Sequence, residues 1–381
     1  MRHFRPIVGA ALLLLGTSFA APASAQAPTA KLGAQSAQKT AQTVEGALRA
    51  YFSADTAAAK AIRAARLDYR RILIAHRLPA EDRLIVEVEL GNGPSALRYP
   101  LRLRDASAAK DGSRWSVDWA PDDAYASALA ETSQKGTFAQ AGAGQGWSEI
   151  QRLPAFPVLV GADFFVTPYG RIAVDPAAEG AEPSAGLDPP KDLGKHAQRW
   201  TGMLLQDDPG SANLDIILAE GATWKRATQA LLPAAMVGLV RAYYIGKDEG
   251  ALVAISTVAP VFKQMVSGDT TLVIGVSPTE TARRYGVRLR LGGQALVSAA
   301  EESGECPDGA TFCASTDGDF APQLRAQAQR LKAANTPPAY VMLAASGDIL
   351  AADILGYLTG ARAAFELPDG KIVVGYIAPQ P

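Results

Sequence analysis

Tyr340-Val341-Met342-Leu343-Ala344-Ala345-Ser346-Gly347-Asp348 is the stretch whose reading decides the fold. A short apolar run closed by a Ser-Gly turn reads as a buried strand that hands the chain to a new element. Residues 351–365 then form an apolar stretch of helical length, and residues 372–377 a closing strand. Upstream, Phe320, Leu324, Ala328 and Leu331 recur at helical spacing. Before them, Leu272-Val273-Ile274-Gly275 and Tyr285-Gly286 with Leu289 and Leu291 read as two strands. The order is strand–strand–helix–strand–helix–strand, an α+β module placed at residues 268–381.

The same order is written earlier in the chain. Val158-Leu159-Val160-Gly161 matches the first strand, and Tyr169-Gly170 with Val174 matches the second. A helix presenting Leu193, Ala197, Trp200 and Leu204 follows, then a strand at 214–218 and the turn Glu220-Gly221 against Ser346-Gly347. A second apolar helix spans 227–239, with a kink expected at Pro233, and a strand at 242–245 closes the unit. The offset is about 115 residues at the start and about 126 later, with the Cys306 to Cys313 stretch absorbing the difference. This module is placed at 150–262, which makes two small α+β modules in tandem.

The segment 340–348 with its following helix, and 214–224 with its own, resemble the periplasmic domain of the ExbD/TolR family, partner subunits of proton-driven envelope motors. The resemblance covers residues 155–381 and consists of topology and apolar spacing. It implies a small sheet with two helices on one face, and family members act as dimers, so two copies in one chain imply a covalent pseudo-dimer. The family's transmembrane helix carries an acidic residue that relays protons. Here the one membrane-facing candidate, residues 1–25, holds no Asp or Glu, which implies a tandem derivative without proton conduction.

The N-terminal region reads differently. Val44, Leu48, Tyr51 and Phe52 share one helical face, and an Ala-rich continuation carries that helix to about residue 66. Four strands follow. Residues 69–78 are rich in β-formers, and Val86, Val88 and Leu90 alternate with Glu87 and Glu89. Leu97, Tyr99, Leu101 and Leu103 alternate with Arg98, Arg102 and Arg104, and Trp115, Val117 and Trp119 with Ser116 and Asp118. Alternation predicts one packed and one wet face, with turns at Asn92-Gly93 and Asp111-Gly112. A helix followed by a meander, placed at 41–135, resembles the cystatin or NTF2-like class. Glycine-rich residues 136–146 read as a linker, and 176–190 as a long surface loop.

At the start of the chain, Arg2 and Arg5 precede an apolar run, and Ala23-Ser24-Ala25 offers small residues at alternate positions. This pattern predicts a signal peptide over 1–25 cleaved between Ala25 and Gln26, then a flexible tether over 26–40. The expected location is the periplasm, or outside the cell, without stable membrane insertion after processing. Removing Arg2 and Arg5 leaves 35 basic residues against 38 acidic, a net charge of about −3 that argues against a nucleic-acid partner. In an oxidising compartment Cys306 and Cys313, with Pro307-Asp308-Gly309 between them, are expected to form a disulfide. A metal site would need more N or S ligands than the chain offers.

Chemistry is sparse. His76 and His196 stand alone in the mature chain, and no G-x-S-x-G, H-E-x-x-H, phosphate-binding or dinucleotide motif occurs. Ser36-Ala37-Gln38-Lys39 and Ser107-Ala108-Ala109-Lys110 match S-x-x-K without the partner motifs of that chemistry. Asp122-Asp123, Asp207-Asp208 and Asp317-Gly318-Asp319 are read as caps and solvated turns, with Asp319 expected to cap the helix at Phe320. The five tryptophans are read as core. The expectation is a non-catalytic binding or adaptor protein with no cofactor, partnered by cell-envelope proteins or peptidoglycan, as a pseudo-dimer or homodimer. The alternatives are a cell-wall hydrolase or transferase using carboxylates, and a purely structural scaffold.

Overall fold

The computed structural model describes residues 43–78, 82–105, 114–174, 190–204, 213–239, 241–258, 271–279, 284–296, 310–315, 319–366 and 372–377. The predicted signal peptide, tether, Asp111-Gly112 turn, most of the 176–190 loop and both S-x-x-K stretches lie outside them. The class is α+β, as expected.

The N-terminal region begins with two helices, not one: α1 (Val44–Ser53) and α2 (Ala57–Ala64). Thr43 Oγ1 caps α1 by accepting from Gly46 N at 3.0 Å, and Thr56 Oγ1 starts α2 by accepting from Ala59 N at 3.2 Å. Arg63 donates back to Ala54 O at 3.0 Å and to Phe52 O, so the carbonyls freed at the break are satisfied. The antiparallel meander β1 (Tyr69–Arg77), β2 (Arg83–Leu90), β3 (Leu97–Asp105) and β4 (Trp115–Trp119) follows in sequential order. The predicted Asn92-Gly93 turn joins β2 to β3. Its inner face, Val86, Val88, Leu90, Leu97, Tyr99, Leu101 and Leu103, packs with Leu48, Phe52 and Ile62 of the helices.

A helix that sequence reasoning missed comes next, α3 (Asp123–Lys135). Asp122 Oδ1 caps it by accepting from Ala124 N at 2.8 Å, and Gly136 ends it in the left-handed region at φ 64°.

The rest of the chain builds one continuous mixed sheet. Its first part comprises β5 (Gln145–Gly146), β6 (Ala155–Val160), β7 (Phe164–Thr167), β8 (Gly170–Ala173), β9 (Asn213–Leu218), β10 (Arg241–Asp248) and β11 (Ala251–Val258). Helices α4 (Lys191–Leu204) and α5 (Trp224–Met236) flank β9, and Pro233 lies inside α5. The second part comprises β12 (Thr271–Pro278), β13 (Arg284–Leu291), β14 (Gln294–Ala295), β15 (Phe312–Ser315), β16 (Tyr340–Ser346) and β17 (Ile372–Ile377). Helices α6 (Phe320–Ala333) and α7 (Ala351–Phe365) flank β16.

Both parts follow one path. In the first, β6 pairs antiparallel with β7 and parallel with β9, and β9 pairs parallel with β10. In the second, β12 pairs antiparallel with β13 and parallel with β16, and β16 pairs parallel with β17. The strand order is therefore β7-β6-β9-β10 in one and β13-β12-β16-β17 in the other. β11, which sequence reasoning missed, joins them: it runs antiparallel to β10 and parallel to β17.

Residues on one face of this sheet, such as Val158, Ile216, Tyr244, Ile274 and Leu343, share a core with Leu193, Ala197, Trp200 and Leu204 of α4 and with α5, α6 and α7. That core runs through both halves. Leu159, Val166, Ile217, Tyr243, Ile245 and Leu252 point the other way. They join the core of the N-terminal region, including Tyr125 and Leu129 of α3. The first half of the sheet is thus covered on both faces.

Two expectations are corrected by this packing. Residues 136–146 are a packed strap rather than a free linker: Ala139 N donates to Leu218 O at 2.8 Å, Lys247 N to Ala139 O at 2.8 Å, and β5 pairs with β11. Glu87 and Arg98, expected on the wet face of the meander, are each 2% exposed because residues 147–155 lie over them.

Candidate functional site

Two arrangements stand out, one between the α+β halves and one beneath the N-terminal region. Between the halves, the turn after β9 meets the turn after β16. Trp224 N donates to Ile349 O at 2.8 Å, and Ala351 N donates to Ala222 O at 2.8 Å. Thr223 and Leu350 face each other as an antiparallel bridge between these bonds. Ala222, Thr223 and Trp224 stand to Ile349, Leu350 and Ala351 at one constant offset along the chain. The two hydrogen bonds are therefore exchanged by swapping the halves. Thr223 and Leu350 are also the N-cap positions of α5 and α7. α5 is enclosed, with Trp224, Ala227, Ala230, Leu231 and Ala234 all buried.

Beneath the N-terminal region lies a buried group of four charges. Glu87 comes from β2, Arg98 from β3, Arg152 from the segment entering β6, and Asp215 from β9. Their side chains are 2 to 3% exposed. Arg98 Nη1 donates to Glu87 Oε2 at 3.0 Å and Nε to Trp147 O at 2.7 Å. Arg152 Nη1 donates to Glu87 Oε1 at 3.0 Å, and its Nη2 donates to Asp215 Oδ2. Trp147 Nε1 donates to Asp215 Oδ2 at 2.9 Å, and Ala155 N donates to Glu87 Oε1 at 2.6 Å. Two cations and two anions balance, as burial demands. The group ties the meander, the segment entering β6 and the large sheet together.

Sequence reasoning singled out none of these four as a site. The available signal was Asp215 itself: a carboxylate inside the apolar run 214–218 requires a buried partner.

The residues that were singled out are placed as follows. Asp122 caps α3, and Asp123 Oδ1 accepts from Ala58 N at 3.0 Å, so both act at helix N-termini. Asp319 sits at the N-cap position of α6 but makes no capping bond; its Oδ1 accepts from Ser315 N at 2.7 Å instead. Asp207-Asp208, Asp317 and Gly318 lie outside the described residues. Cys313, buried on β15, is disulfide-bonded, while Cys306 lies outside the described residues. His76 falls on β1 and His196 on α4. His196 Nδ1 lies 2.8 Å from Thr167 Oγ1, and burial and Arg199 push its pKa down.

Trp147, Trp200 and Trp224 are fully buried. Trp119 reaches Trp200 and Tyr169, each with ring centroids 5.8 Å apart, so two tryptophans distant in sequence pack together. Among the described residues no group of three or more His, Cys, Asp and Glu is placed to hold a metal ion. No described helix is long and apolar enough to cross a membrane.

Fold and site together define an α+β chain whose two halves repeat one strand path. No protein-family model, curated protein or solved structure matches it.

Proposed function

We propose that the protein is a periplasmic, non-catalytic binding or adaptor protein whose two α+β halves form a covalent pseudo-dimer resembling the periplasmic domains of the ExbD/TolR family. The observation that carries the reading is the shared strand path, β7-β6-β9-β10 against β13-β12-β16-β17, with the exchanged hydrogen bonds between Ala222–Trp224 and Ile349–Ala351. In a dimer of separate chains such a contact would form by association. In one chain it forms by folding, and the two copies stay in fixed stoichiometry. Residues 1–25 export the chain and are removed after Ala25, and Cys306 pairs with Cys313 in the oxidising compartment.

The partners are cell-envelope proteins, such as subunits of a motor complex, or peptidoglycan. The test is affinity capture of the mature protein from cross-linked envelopes, with mass spectrometry of what accompanies it. Specific recovery of inner-membrane motor subunits supports the reading. Recovery of the bait alone refutes the adaptor role.

A further inference from the structure

The two buried carboxylates beneath the N-terminal region are served unequally. Both oxygens of Glu87 accept: Oε1 from Ala155 N and Arg152 Nη1, and Oε2 from Arg98 Nη1. Asp215 accepts on Oδ2 alone, from Trp147 Nε1 and Arg152 Nη2. Among the described residues its Oδ1 is buried without a hydrogen-bond partner, as are Arg152 Nε and Tyr125 Oη in the same neighbourhood. A buried ionised carboxylate with a donor on one oxygen only is poorly stabilised, and protonation leaves a neutral hydroxyl there, which costs less to bury unpaired than the charge does.

The groups facing Asp215 come from every element around it. They are Glu87 of β2, Arg98 of β3, Tyr125 of α3, and Trp147 and Arg152 of the segment entering β6, while Tyr243 of β10 packs its ring 5.3 Å from the Arg152 guanidinium.

We propose that Asp215 is a proton-binding site built into this junction: on mild acidification the folded protein takes up one proton from solvent at Asp215 while Glu87 stays ionised, and the uptake adds to the stability of the folded chain. Burial raises the pKa of Asp215 to about 6, against the opposing pull of Arg152. Burial acts on Glu87 in the same sense, but Arg152, Arg98 and the Ala155 N–H outweigh it and hold that carboxyl below its ordinary value of 4.5.

The Asp215 contribution to stability is fully present below its unfolded value of 3.8 and is lost as pH rises through about 6. The Glu87 contribution is present above 4.5 and is lost as pH falls through its lowered folded value. Both therefore favour the folded state between about pH 4.5 and 6.

The test is a pH titration of the mature chain labelled at its carboxyl carbons, with Asp215→Asn assigning the signal. The expected result is a midpoint near 6 for Asp215, no step above pH 4.5 for Glu87, and a proton uptake between pH 7.5 and 5 that exceeds that of Asp215→Asn by about 0.9 proton. The thermal midpoint of the wild type should rise over the same interval relative to Asp215→Asn. An Asp215 midpoint below 4.5, or identical uptake by wild type and variant, overturns the proposal. If Asp215→Asn does not fold, Trp147→Phe decides. Losing the indole donor to Oδ2 should move the titration midpoint upward, and an unmoved midpoint overturns the assignment.

Discussion

Replacing Arg152 with Met tests what holds the N-terminal region to the large sheet. The guanidinium is 2% exposed and bonds both Glu87 and Asp215. Without it two buried carboxylates remain with Arg98, which hydrogen-bonds only the first of them. Removing one member of a buried ionic group costs about 3–5 kcal/mol, because a charge is left uncompensated where water cannot reach it. For a chain of this size about 2 °C of melting temperature corresponds to 1 kcal/mol, so the expected loss is about 6–10 °C.

The assay is thermal unfolding by circular dichroism at pH 7.5, with Arg71→Met as the control. Arg71 pairs with Glu89 at 2.9 Å but is 65% exposed, and such a pair contributes about 0–1 kcal/mol. Replacing all four charges by apolar residues of similar volume should recover most of the Arg152→Met loss. If Arg152→Met melts within about 2 °C of the wild type, or no lower than Arg71→Met, the reasoning about this junction is wrong.

The remaining predictions concern local packing. A Cβ at Gly246 would lie 2.8 Å from both Ala139 O and the Ala141 Cβ. Gly246→Ala should therefore displace the strap and cost about 1–3 kcal/mol, read from denaturant unfolding. Asp122→Ala removes the α3 cap and should cost about 0.5–2 kcal/mol in the same assay; no measurable loss would mean that the cap contributes nothing.

Local pattern carried much of the architecture. Leu193, Ala197, Trp200 and Leu204 are the buried face of α4, and residues 351–365 and 372–377 coincide with α7 and β17. These elements were legible because their burial follows from neighbours three or four residues away, or two in a strand. What escaped depends on cover supplied from far along the chain. Glu87 and Arg98 alternate as a wet face should, and the segment from Trp147 to Ala155 lying over them makes them buried. The glycines of 136–146 suggested flexibility, yet Gly144 is small because a Cβ there would lie 2.9 Å from Ala254 O.

α3 was missed although Tyr125, Ala126, Leu129 and Ala130 lie at helical spacing behind an Asp cap. Its small residues hid the stripe. The split between α1 and α2 turned on Thr56, a cap inside an Ala-rich run that otherwise favours helix.

The most direct test of the proposed pseudo-dimer is a covalent link across the contact between the halves. Thr223 and Leu350 form an antiparallel bridge, and directly opposed residues in such a bridge have Cα atoms about 4.5–5.5 Å apart, within disulfide range. The double substitution Thr223→Cys with Leu350→Cys, made beside the native cysteines, should oxidise to one additional intramolecular disulfide, read by peptide mapping of the unreduced protein. A linked peptide pair containing positions 223 and 350 is the predicted result. Two free thiols at those positions after oxidation, in a folded protein, would contradict the account.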